Sequence, residues 1–267
     1  MNRNTIFLIA VLALASTASA GISMTYPVES NLQSGDSVPA GFVGPGQTFD
    51  LVFSNDSGYG YNWDTIEVLS SSLPRGWKVV TVHQTDPSIG VSISVPSNAV
   101  PNVYVLRVML SSSVQATAAE TVDVRVIVKN GLLDVSFARK STDEFAQLGG
   151  KVIYNVKLTN SSIAPFGTKI TSNLPSNWFS EKPLLLKANT TQDLELAVTP
   201  LSSGKFDFAF QAFESENNII VQSYSSELNV RPTLKGKFGS AFSGFPFFTF
   251  TLLPFQLFDS FFSFVLP

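Results

Sequence analysis

Runs of alternating apolar and polar residues fill the middle of this chain and constrain its fold more than any other feature. Phe49, Leu51 and Phe53 alternate with Asp50, Val52 and Ser54. Val91, Ile93 and Val95 alternate with serines, and Val122, Val124, Val126 and Val128 with Asp123, Arg125 and Ile127. Farther on, Val152, Tyr154, Val156 and Leu158 alternate with Ile153, Asn155, Lys157 and Thr159. Leu194, Leu196 and Val198 follow, then Phe206, Phe208 and Phe210. A period of two sends successive side chains to opposite faces of a strand, so each run has one buried and one wet face. The runs are short, β-branched or aromatic, and bounded by Gly, Pro, Asn and Ser. Outside the two ends of the chain, no segment holds a capped helical period. The expectation is an all-β sandwich or barrel.

The strands also repeat as a set. Gly46-Gln-Thr-Phe-Asp-Leu-Val-Phe-Ser-Asn55-Asp-Ser57 matches Gly150-Lys-Val-Ile-Tyr-Asn-Val-Lys-Leu-Thr-Asn160-Ser-Ser162 in pattern. Leu73-Pro74-Arg75-Gly76-Trp77 matches Leu174-Pro175-Ser176-Asn177-Trp178. The offset is about the size of one immunoglobulin-like sandwich, roughly 100 residues. The reading is two tandem antiparallel Ig-like β-sandwiches, over residues 22–130 and 131–231. Lys129-Asn130-Gly131 is a turn with no long linker, which implies a fairly stiff tandem.

The order of an alternating strand ending in Asn, then Leu-Pro-x-x-Trp, then a polar strand, a turn and a long strand resembles a known group. It is similar to the NPCBM-associated and CARDB-like Ig modules of archaeal and bacterial surface proteins. The resemblance covers both repeats. It implies spacer, adhesive or assembly modules and brings no catalytic residues with it.

The ends carry a different signal. Arg3, the apolar run at residues 6–15 and Ala18-Ser19-Ala20 read as a signal peptide over residues 1–20, cleaved after Ala20. Residues 232–267 form a hydrophobic tail. From Phe238 onward its one charge is Asp259, and it holds eleven of the protein's 23 Phe. Its uncharged stretch is long enough to cross a bilayer, which takes about 20 residues. Pro246 and Pro254 interrupt it, and no Lys or Arg follows. So many Phe must be covered by something. The expectation is membrane contact through residues 238–267; the alternatives are burial in a protein partner, packing on its own second domain, and a cleaved lipid-anchor signal.

Chemistry-bearing residues are scarce. The chain has no Cys and one His, His83, which removes thiol nucleophiles and Cys zinc sites and nearly removes His catalysis. A net charge of −3 lacks the basic footprint of a nucleic-acid binder. Glu214 and Glu216 sit in an apparent hairpin turn rather than facing each other as glycosidase acids. There is no Gly-rich phosphate loop, no G-x-S-x-G and no metal triad. The chain reads as non-enzymatic, with no cofactor and no metal.

Three groups of residues stand out as binding or modification candidates. Trp77 and Trp178, equivalent in the two repeats, read as core plugs. Tyr59, Tyr61 and Trp63 belong to the first repeat only. Spaced i, i+2, i+4, they would share a face and offer a glycan a flat aromatic platform. Asn55, Asp56, Asn62 and Asp64 in the same stretch fit no established calcium loop. Asn55, Asn160 and Asn189 are N-x-Ser/Thr sequons and candidate N-glycosylation sites. The functional expectation is an exported cell-surface or envelope protein, a tandem spacer, adhesion or assembly module tethered by its tail. A carbohydrate-binding module and a subunit of a surface filament are the alternatives. Homotypic or surface-protein contacts would be its partners.

Overall fold

A computed structural model describes residues 21–115, 118–140, 145–214 and 219–232. The signal peptide with Ala20, Glu216 and the tail from residue 233 onward lie outside the described residues. The chain divides into two compact units at Asn130/Gly131. All regular structure among the described residues is β. No helix among them is long and apolar enough to cross a membrane.

Unit 1 contains β1 (Ile22–Tyr26), β2 (Ser30–Leu32), β3 (Ser37–Val43), β4 (Thr48–Ser54), β5 (Thr65–Val68), β6 (Lys78–Thr85), β7 (Ser88–Ser94), β8 (Val103–Ser111) and β9 (Ala119–Val128). One sheet has the order β2-β1-β4-β7-β6 and the other β3-β9-β8-β5. Strand for strand, this is the constant-type immunoglobulin arrangement, with four core strands facing three. Phe49, Leu51 and Phe53 of β4, Leu106, Val108 and Leu110 of β8 and the alternating valines of β9 are all buried, as the alternation requires. Burying each such side chain stabilises the fold by about 1.5–3 kcal/mol.

Unit 2 contains β10 (Leu133–Arg139), β11 (Ala146–Gln147), β12 (Val152–Asn160), β13 (Phe166–Ser172), β14 (Lys182–Leu186), β15 (Thr191–Val198), β16 (Gly204–Glu214) and β17 (Ile220–Arg231). Its sheets are β10-β12-β15 and β11-β17-β16-β13-β14. Tyr154, Phe208 and Phe210 meet edge to face in its core at 5.2–5.7 Å.

Both units are therefore Ig-like sandwiches, with one departure from an all-antiparallel ladder. β3 runs parallel to β9, from Ser37 beside Asp123 to Val43 beside Val128. β11 runs parallel to β17. In each unit the first strand pairs with one sheet, and the chain then crosses to the other sheet beside the last strand. The crossing closes the side of the sandwich that would otherwise expose the last strand's edge.

The units differ in the strand that follows the Leu-Pro-x-x-Trp turn. β6 pairs with β7, whereas its counterpart β14 pairs with β13. The connections explain the difference. Only Asp86 and Pro87 join β6 to β7, and a two-residue link folds its strands into a hairpin. Four residues separate β14 from β15, with Asn189 at φ +50°, so the chain can cross between sheets there. β13 also offers a longer ladder than β5 does.

Candidate functional site

The aromatic loop after β4 is built around Asn55. Its side chain is buried and donates from Nδ2 to Asp86 Oδ1 at 2.9 Å, while its carbonyl accepts from Trp63 N at 2.6 Å. Asp56 Oδ1 accepts from Gly58 N at 2.8 Å, and Ser57 Oγ accepts from Tyr59 N at 3.1 Å. Gly58 (φ 72°) and Gly60 (φ 84°) make the left-handed turns that let so short a loop close. Asp64 ties the loop to the chain after β8. Both of its oxygens accept from Ser113 N, at 2.9 and 3.0 Å, and Oδ2 also accepts from the Ser113 hydroxyl. These Ser113 bonds hold the Asp64 carboxyl below its ordinary pKa.

The three aromatic side chains do not form one platform. Trp63 is 0% exposed and fills the sandwich interior. Its indole N–H has no hydrogen-bond partner there. Tyr61 meets it edge-on at 5.4 Å, and Tyr59 stacks on Tyr61 at 5.9 Å and 14°. Of the three, only Tyr59 is exposed, at 54%. The i, i+2, i+4 spacing assumes an extended segment. The Gly58 and Gly60 turns curl it instead, and Trp63 rolls into the core. Desolvation beside Trp63, then Glu120 and Tyr59, push the Tyr61 phenol upward. In unit 2 the same place holds Ile163, Ala164 and Phe166, all buried.

Two of the three sequon asparagines are turn locks. Asn160 is buried and donates from Nδ2 to the Ala164 and Lys187 carbonyls, both at 2.9 Å. Its Oδ1 accepts from Ser162 N at 2.9 Å. Asn55 occupies the equivalent strand end in unit 1. Both amides are thus engaged in holding their turns. Asn189 stands exposed in the β14–β15 connection.

The Leu-Pro-x-x-Trp turns place their tryptophans alike. Trp77 N donates to Pro74 O at 3.0 Å and Trp178 N to Pro175 O at 2.8 Å. Trp77 packs on Tyr104 at 5.2 Å, and Trp178 on Phe206 at 4.8 Å. Both are core plugs. His83 lies over Gly90, where an added Cβ would meet its Nε2 at 2.3 Å. No cluster of His, Cys, Asp or Glu able to hold a metal ion occurs among the described residues. A groove of about 300 Å³ lies beside Gly21, Asn31, Gln33 and Asp36, next to the residue that would begin the chain after cleavage behind Ala20.

No family model and no curated protein matches the chain. Solved structures that it is similar to include the fibronectin(III)-like modules of Clostridium thermocellum CbhA (10% identity, 79% of this chain and 94% of that one, TM-score 0.28). They also include the D0–D1 domain of intimin (12% identity, 70% and 93%, TM-score 0.27). The titin domains Z1Z2 in complex with telethonin are similar as well (15% identity, 79% and 97%, TM-score 0.27).

Proposed function

We propose that this protein is a non-enzymatic, exported surface module: two Ig-like sandwiches tethered through residues 232–267, serving as a spacer or in adhesion and assembly. The observation that carries the reading is the end of the second sandwich. β17 completes it at Arg231, whose guanidinium sits 3.3 Å over the Phe145 ring. The chain then passes directly into a segment with eleven Phe and, from Phe238 on, one charge. So many Phe must be covered by something, and in this reading the bilayer covers them. The apolar leader at residues 1–20 supports export. The resemblance to archaeal and bacterial surface modules agrees with this reading.

The glycan-platform alternative loses its main support with Trp63 inside the sandwich. Asn189 is the sequon whose side chain a glycosylating host could modify.

The test is fractionation of cells expressing the full chain and a version ending at Arg231, with intact mass of each product. The proposal expects the full chain in carbonate-washed membranes and the shorter one in the medium. Both masses should correspond to a start at Gly21, with any added glycan lost in Asn189→Gln. Release of both versions would contradict the tether.

A further inference from the structure

An asparagine side chain is chemically unstable where the amide nitrogen of the next residue can reach it. That nitrogen, once deprotonated, attacks the side-chain carbonyl carbon and closes a cyclic imide, a succinimide. The step needs a nitrogen free of other bonds and a following residue too small to block the approach. Through most of the described residues that nitrogen is occupied. Asp56 N, after Asn55, donates to Ser54 Oγ at 3.2 Å. Trp63 N, after Asn62, donates to Asn55 O at 2.6 Å, and Ser161 N, after Asn160, to Leu132 O at 2.9 Å. Ala99 N, after Asn98, donates to Pro96 O at 3.0 Å, and Trp178 N, after Asn177, to Pro175 O at 2.8 Å. Asn155 and Asn229 lie inside strands. Asn189 is followed by the β-branched Thr190.

Asn130 is the exception. It is the one asparagine in the chain that precedes a glycine. Both residues are exposed, and the Gly131 N–H donates to no group among the described residues. Gly131 has φ +69°, and a Cβ added there would meet nothing within 4 Å, so no neighbour crowds the glycine. The residues on either side are held. Lys129 N donates to Val43 O at 3.0 Å in unit 1, and Leu132 O accepts from Ser161 N at 2.9 Å in unit 2. Asn130 and Gly131 are the free links between these anchors.

We propose that Asn130 is a site of spontaneous modification, at which the junction of the two units converts to an isoaspartyl or aspartyl link. The Gly131 nitrogen forms a bond to Asn130 Cγ. The Cγ–Nδ2 bond breaks, and ammonia leaves with the proton that Gly131 gave up. Water then adds to one of the two imide carbonyls and breaks that carbon's bond to the Gly131 nitrogen. Addition at Cγ leaves an aspartate in the ordinary backbone. Addition at the α-carbonyl carbon routes the backbone through Cβ and Cγ and leaves an isoaspartate. Either product places a new carboxylate at the junction, charged at neutral pH. The isoaspartyl product also adds a methylene to the path from Lys129 to Leu132. The inference goes beyond the tether and stands without it, because neither the leader nor the tail takes part.

The test follows the full chain in mild detergent, as native protein and as Asn130→Gln and Gly131→Ala, through warm incubation at neutral and at mildly alkaline pH. Isoelectric focusing counts the added charges, and peptide mass mapping with isoaspartate detection locates them. The proposal expects the native chain to gain a single negative charge, placed at position 130, with ammonia released in equal amount. The rate should rise with pH, because the attacking nitrogen is the deprotonated one. Asn130→Gln should lose the charge gain and keep its thermal transition, since its longer side chain does not close the same ring. Gly131→Ala should slow the gain several-fold by crowding the nitrogen. A native chain that keeps Asn130 intact at alkaline pH would overturn the proposal. So would earlier conversion of another asparagine, or conversion of Gly131→Ala at the native rate. Membrane fractionation is read separately, so failure of the tether and failure of this site give different results.

Discussion

The two units share a sequence template and most of a fold, but they assign the strand after the Leu-Pro-x-x-Trp turn, β6 or β14, to opposite sheets. In unit 1 the strand stays with β7, and its Val80 and Val82 are exposed. In unit 2 it crosses to β13, and its end, Leu186, is buried in the core. Alternation decides which face of a strand is buried. It does not decide which sheet the strand joins. A two-residue link against a four-residue link does that, with the length of the receiving strand in support. The second lesson concerns the loop after the shared Asn. Both copies lock it through a buried amide, but unit 1 fills the space beneath with Trp63 and unit 2 with Ile163, Ala164 and Phe166.

The largest expected effect comes from the residues that fill each sandwich. Trp63→Ala and Trp178→Ala should each cost about 3–5 kcal/mol. In a unit of this size that lowers the unfolding temperature by more than about 10 °C. The loss should stay in the unit that carries the change, as read by hydrogen exchange across the strands of both units. A loss from Trp63→Ala no larger than an exposed ring would give contradicts its place in the core.

The two asparagine locks sharpen the comparison further. Asn160→Ala removes three hydrogen bonds from a buried loop, although the Lys187 carbonyl keeps the one from Thr190 Oγ1, and should cost about 2–3 kcal/mol. Asn55→Ala leaves Asp86, which is exposed, and should cost about 1 kcal/mol. Denaturant midpoints at constant slope test the ranking. Equal losses would mean that the amides are not what distinguishes the two loops.

A smaller effect follows from the carboxylates of unit 1. Ser113 bonds lower Asp64, and Arg107 lowers Asp123 through a hydrogen bond from Nε at 2.8 Å. Because the folded-state values are depressed, both groups bind protons more readily in the unfolded chain. Their contribution is present above the ordinary carboxylate value of 3.8 and is lost as pH falls through their lower folded values. Unit 1 should therefore lose stability below about pH 4, and Asp64→Asn should make that loss shallower. A transition temperature that rises on acidification contradicts the assignment.

Much of the fold was legible in the sequence, and specific residues show why the rest was not. The Phe49-Leu51-Phe53 and Val122–Val128 alternations fixed the strands and their buried faces because a period of two has one geometric meaning. The matching Leu-Pro-x-x-Trp turns marked Trp77 and Trp178 as core, since a residue kept in both copies serves the shared fold. Asn55 and Asn160 also recur at equivalent strand ends. The same logic applied to them gives turn locks. Trp63 offered no such signal. Its burial depends on the Gly58 and Gly60 turns, which break the extended spacing that would have aligned it with Tyr59 and Tyr61. The parallel β3–β9 and β11–β17 pairs are long-range contacts that local pattern does not encode.

Disulfide trapping of β6 and of β14 tests the central claim most directly, in a background without cysteine. Thr81→Cys with Ser92→Cys joins β6 to β7, and Gly167→Cys with Leu185→Cys joins β14 to β13. Both pairs should close on mild oxidation, while Leu185→Cys with Gln192→Cys on β15 should stay open. If Leu185 instead closes onto β15, β14 sits in the same sheet as its counterpart β6 does. The contrast between the two sandwiches would then be wrong.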